Sequence, residues 1–137
     1  MKTQTLTQTP TRPTLVQIVV AVQGIVYLLT SLALLFAPEW FFENIGHFPP
    51  FNRHYMGDAG AFLGALAVGL LIAARDPSRH RVMLLVAALG GLVHIGNHLY
   101  DDTISASWSL EHALTETLPL AIFALAMLWG WYVTRDR

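Results

Sequence analysis

Four long blocks of this chain carry almost no charge, and that limits the fold more than any other feature. Leu15–Ala37 runs 23 residues without a charged side chain. Ala59–Ala74 is also uncharged and reaches spanning length with Tyr55–Asp58. Val82–Val93 continues to Tyr100, broken only by His94, Asn97 and His98, and Ala113–Val133 holds one charge, Glu116. A bilayer core about 30 Å thick takes about 20 helical residues, and every block comes close to that or exceeds it. The blocks are rich in Leu, Ala and Gly and do not alternate, so they read as helices rather than barrel strands. The expected fold is an all-α integral membrane four-helix bundle with spans near 15–37, 54–74, 82–100 and 112–133, forming one domain over 14–134. Residues 1–13, rich in Thr, Gln and Pro, read as a disordered tail, and 135–137 as a second short tail.

Composition narrows the function classes. Charged residues make up 12% of the chain, against about a quarter in soluble domains, which excludes an ordinary soluble core. The first block is too long for the apolar part of a signal peptide and reads as a retained anchor. There is no cysteine, which excludes thiol redox chemistry, disulfides and Cys-ligated clusters. The net charge of −1 gives no reason to expect a nucleic-acid partner. The expected partners are the lipid bilayer and, beyond it, a second copy or a larger membrane complex.

The basic residues sort the four spans by side. If all four cross, the two tails and the middle loop share one side, which carries Lys2, Arg12, Arg75, Arg79, Arg81, Arg135 and Arg137. The opposite side has only Arg53. The positive-inside rule then puts both termini in the cytoplasm. Glu39, Glu43, Asp58, Asp101, Asp102, Glu111 and Glu116 fall at the outer end, as do five of the six histidines. Trp40, Phe41, Phe42, Tyr55, Tyr100 and Trp108 suit the outer headgroup level, and Trp129, Trp131 and Tyr132 the inner one. Asn52 is a candidate N-cap for span two, and Ser107 or Ser109 for span four. Asp101–Trp108 reads as a loop. Gly60 and Gly64 match the small-xxx-small spacing of closely packed membrane helices, read here as tightening the hairpin of spans two and three. Gln17 and Gln23 read as interhelical hydrogen-bonding residues. Pro119 is expected to disturb span four and free the Thr115 carbonyl.

Several outer-end side chains form pairs four residues apart: His54/Asp58, His94/His98 and His112/Glu116, with Glu43/His47 in a loop nearby. Such pairs share a helix face, and facing helices of a bundle can bring them to one point. With a rise of about 1.5 Å per residue, members of a pair differ in depth by about 6 Å. His54, His98 and His112 form a shallow layer; Asp58, His94 and Glu116 form a deeper one. Arg53, Asn97, Tyr100, Asp101 and Asp102 stand nearby as supporting groups, although Asp101 and Asp102, each taken alone, read better as solvated interface residues. Neutral imidazole with carboxylate suits zinc, iron, manganese or copper. Ionisable groups inside a span also mark proton relays and polar-ligand sites such as those for quinones. Haem fits least well, because His94 and His98 share a face and cannot hold one iron from opposite sides. The remaining alternative is a non-catalytic structural or assembly subunit. Helix dipoles favour acids at N-termini and histidines at C-termini, so a helix-packing network could produce the same pattern.

Phe51-Asn52-Arg53-His54, then Asp58-Ala59-Gly60-Ala61, then His94-Ile95-Gly96-Asn97-His98 carry a resemblance. Over about residues 15–130 the chain resembles small uncharacterised bacterial four-span membrane proteins, loosely DoxX-like. The resemblance implies a multi-pass protein of the bacterial inner membrane with a respiratory or redox-accessory role. It points to His54, Asp58, His94 and His98 as site residues. It implies no particular reaction, and the absence of cysteine departs from any thiol-dependent one.

Overall fold

The computed structural model describes residues 14–46, 49–105 and 109–135, and no strand occurs among them. Helix α1 spans Leu15–Phe36, and the short α2 spans Pro38–Asn44. Two long helices follow, α3 over Arg53–Ala73 and α4 over Arg81–Ser105. The last span comprises one α-turn, α5 (Leu110–His112), a π-helical turn (Ala113–Thr117) and α6 (Leu118–Val133). The helix starts are written in the sequence. Thr14 and Gln17 form a reciprocal capping box at α1, which satisfies two backbone donors that a helix start leaves open. The Asn52 side chain accepts from the backbone N–H groups of His54 and Tyr55 at 3.0 and 3.2 Å. Ser109 caps the last span, accepting from His112 N–H at 3.0 Å; the alternative cap, Ser107, lies outside the described residues, as do Trp108 and His47.

The four long helices pack as two close pairs, α1 with α3 and α4 with α6. Small residues permit this. Gly60 and Gly64 both face Ser31, whose hydroxyl donates to the Gly60 carbonyl at 2.7 Å. A Cβ on Gly60 would lie 3.0 Å from Leu34 and Leu35. In the other pair, Gly91 lies against Ala124 and Gly130 against Leu84. Gly60 and Gly64 thus close on α1, whereas the sequence reading had them tightening α3 on α4; of the α3 glycines Gly69 faces α4, at Met83. Chain neighbours joined by a short turn are not obliged to be the closest packing partners; matching small residues decide that.

Val16, Val20, Leu70, Ala73, Leu84, Ala87, Ala88 and Met127 form one buried core drawn from all four spans. It sits at the end where Thr14, Arg75–Ser78 and Thr134 come together. This is the basic end: Arg75, Arg79, Arg81 and Arg135 are all in or beside these segments. Arg81 stacks over Trp131 at 5.3 Å and Arg135 over Tyr132 at 4.1 Å.

Large apolar side chains also cover the outside. Leu15, Ile18, Val22, Ile25, Leu29, Leu32 and Phe36 form an exposed stripe along α1, while Gln23, Gly24 and Ser31 are buried. So large an apolar surface marks contact with something other than water. All four spans are long and apolar enough to cross a membrane. The fold is that of a multi-pass membrane protein.

Two local expectations change. Helix α4 runs through Asp101 and Asp102 to Ser105 instead of ending near Tyr100. Side chains support the extra turn: Asn97 donates to Asp101, Thr103 to the Tyr100 carbonyl and Ser105 to the Asp101 carbonyl. Gln17 does reach across, donating to the Arg75 carbonyl at 3.0 Å. Gln23 is 1% exposed, and no hydrogen bond joins its amide to another span among the described residues.

Candidate histidine–carboxylate site

At the end opposite Arg75, Arg79, Arg81 and Arg135, α4 presents His94, His98 and Asp102 at successive intervals of four. They therefore lie along one helix face. The start of the last span brings His112 and Glu116 against that face. His94 Nε2 and His98 Nε2 are 3.1 Å apart. His98 Nδ1 lies 3.9 Å from one oxygen of Glu116. The other Glu116 oxygen lies 3.4 Å from His112 Nδ1, and His112 Nε2 lies 2.9 Å from Asp102. A continuous line of five side chains results: His94, His98, Glu116, His112, Asp102.

The π-helical turn bears on this geometry. It occupies Ala113–Thr117, where the Leu118 N–H reaches back to the Ala113 carbonyl, and it carries Glu116. Pro119 follows within the first turn of α6. Proline supplies no N–H, so the regular ladder is interrupted there in any case. The Thr115 hydroxyl donates to the Glu111 carbonyl at 2.9 Å, one of the carbonyls at the entry to the widened turn. Single π-turns inside helices are frequent at functional sites because they re-aim side chains without ending the helix.

One atom each from His98, His112 and Glu116 lie within 4.8 Å of one another, and all three residues are partly buried. The nitrogens facing Glu116 are Nδ1 of both histidines. The opposite nitrogens are engaged, with His112 on Asp102 and His98 on His94. This resembles the arrangement around metal-ligating histidines, where the second ring nitrogen is held by a carboxylate or another polar group.

The other sequence-selected residues are placed differently. His54 and Asp58 pair with each other at 3.5 Å on α3, with side chains 80% and 56% exposed. Among the described residues no hydrogen bond or ion pair joins them to the α4 cluster. The expected deep layer of Asp58, His94 and Glu116 is therefore not gathered at one point. Arg53 is exposed at the start of α3, and Tyr100 is 63% exposed. Asn97 and Asp101 bond to each other at 2.9 Å.

Asp102 moves the other way. Only 5% exposed, it is the carboxylate that holds His112. The signal that could have placed it on this face was the continued interval of four, 94, 98, 102, which expecting a loop at residue 101 cut short.

Fold and cluster together define a class: a four-helix multi-pass membrane protein with a histidine–carboxylate cluster at one end. No family model matches the chain, and neither a curated protein nor a solved structure matches it.

Proposed function

We propose that His98, His112 and Glu116 form a transition-metal site at the outward-facing end of a bacterial inner-membrane protein whose termini are cytoplasmic. The observation that carries the reading is the pair of Nδ1 atoms converging on Glu116 while both Nε2 atoms are held from behind. Two histidines and one carboxylate suit zinc, iron, manganese or copper. Three protein ligands leave a position for water or a small polar ligand. Small adjustments would serve, since ligands at about 2.0–2.2 Å from a tetrahedral zinc lie about 3.4 Å apart. Such a site suits an accessory role in a redox complex.

The test is elemental analysis of protein purified in mild detergent without chelator. The expected result is close to one transition metal per chain, lost in a His98→Ala/His112→Ala variant that remains folded. A metal-free wild type that also fails to take up zinc, iron, manganese or copper on titration overturns the reading. So does metal content unchanged in the variant. Orientation is tested separately, and the absence of native cysteine makes it simple. Thr103→Cys should react with an impermeant maleimide from outside intact cells, and Ser78→Cys should not; the reverse pattern inverts the topology.

A second reading has its own support. The Asp102–His112 contact at 2.9 Å ties α4 to the last span with no ion required. On that reading the cluster is a packing network, and Glu116→Gln, which keeps hydrogen-bonding capacity, leaves stability unchanged whether or not metal is added.

A further inference from the structure

Between the basic-end core and the histidine cluster the two helix pairs part. One hollow of about 510 Å³ lies between α3 and α4, with α1 and Phe41 at its edge. A smaller one of about 220 Å³ lies between α1 and α6. Tyr27, Thr30, Leu63 and His94 line both, so the two hollows adjoin across these side chains as a divided crevice. No Asp, Glu, Lys or Arg lines either hollow, which leaves no partner for a charged ligand. Phe41, Phe62 and Phe123 supply aromatic walls. An apolar hollow of this size with a few polar groups is the usual form of a small-molecule site.

We propose that this crevice binds a neutral, membrane-dissolved molecule whose carbonyl oxygen accepts a hydrogen bond from His94 Nδ1. The direction of that bond rests on the metal reading. If His98 gives its Nδ1 lone pair to a metal, its Nε2 carries the proton and donates to His94 Nε2. Neutral His94 then holds its own proton on Nδ1, as a donor, and calls for an acceptor. Depth selects the kind of molecule. His94 lies six residues before Tyr100 on α4, about 9 Å deeper by helical rise. A glycerolipid anchored by its headgroup keeps its ester carbonyls nearer the surface, whereas a molecule dissolved in the hydrocarbon can place its carbonyl at this level. Planar rings and alkyl chains can both carry such a head.

The test uses the full chain in nanodiscs with three probes: menadione as a planar ring, 2-tridecanone as a chain, and dodecanoate as a charged head. At least one carbonyl probe should bind saturably, at about one per chain, and dodecanoate should not compete. Gly90→Leu provides a clean block. Gly90 lines the crevice, and a Cβ built there meets nothing within 4 Å, so the variant should fold while filling the space. It should weaken binding by about ten-fold or more, and His94→Leu by about ten-fold, the effect of one lost hydrogen bond. His94→Gln should recover part of the loss. The proposal is overturned by uptake that rises only in proportion to lipid, by wild-type binding in Gly90→Leu, or by dodecanoate competing equally. The two proposals fail separately. Absence of metal from the wild type removes the metal reading. Wild-type probe affinity in Gly90→Leu removes the crevice, whatever the metal content.

Discussion

The two ends of this bundle are built on opposite plans. At the basic end Leu70, Leu84, Val20 and Met127 are fully buried and all four spans meet. At the other end the helix pairs separate: α1 and α3 stay closed through Ser31, Leu34 and Gly60, while α4 meets the last span through His98, His112, Glu116 and Asp102. One end is closed by apolar and small side chains from all four spans; at the other, imidazoles and carboxylates join α4 to the last span, with a hollow beneath them. The difference teaches that stability and chemistry need not share a location even in a chain this short. A packed end can hold four helices in register while the far end stays open enough for a ligand.

This contrast can be broken most directly in the core. Leu70→Ala and Leu84→Ala should each destabilise the fold by about 2–5 kcal/mol, measured by SDS titration in mixed micelles. Phe62→Ala, at a side chain 80% exposed, should change stability by no more than about 0.5 kcal/mol. Equal effects at the two positions would erase the distinction between the ends. At the polar end, Glu116→Ala should lower metal affinity about 100-fold with little change in unfolding. His54→Ala and Asp58→Asn, on the exposed pair, should leave metal affinity as it was. Titrations should also show affinity falling as pH is lowered, since protons compete for the imidazole nitrogens that would bind the ion.

Pair packing gives the next effect. Gly60→Ala should cost about 1–2 kcal/mol because its Cβ meets Leu34, Leu35 and the Ser31 carbonyl. Gly57→Ala meets nothing within 4 Å and should be neutral or stabilising by up to about 1 kcal/mol. Asp102→Asn should reduce metal affinity about ten-fold by loosening His112, with the folded fraction unchanged; a loss of fold instead favours the packing network. The smallest effect is expected at the basic surface. Tyr132→Leu removes the face under Arg135 and should cost about 0.5 kcal/mol.

Much of the fold was legible because it follows from solvent. Blocks without charge must satisfy their own backbone in hydrocarbon, and only helices do so within one segment. The cap residues Asn52 and Ser109 act over three residues or fewer, so they too could be read locally; Thr14, which caps α1 over the same range, was not singled out. The site was legible in part. His98, His112 and Glu116 stood out by spacing, but spacing does not say which face meets which helix. His54 and Asp58 share a face as good as that of His94 and His98, yet α3 leaves them exposed. Asp102 was legible only as one supporting group among several, because a pair of acids at a span end looks like a loop until three side chains bond back and extend the helix.

Four apolar helices, the gathering of histidine and carboxylate at one end, and the separation of that end from every arginine but Arg53 could all be read from the chain alone. These depend on transfer energies and short-range hydrogen bonds, which each segment carries alone. Only the tertiary structure decided the pairing of α1 with α3 and of α4 with α6. From that pairing follow the line from His94 to Asp102, the outward placing of His54 and Asp58, and the crevice above the core. The physical reason is that helix pairing depends on which small residues face each other across a contact, and no segment holds both sides of it.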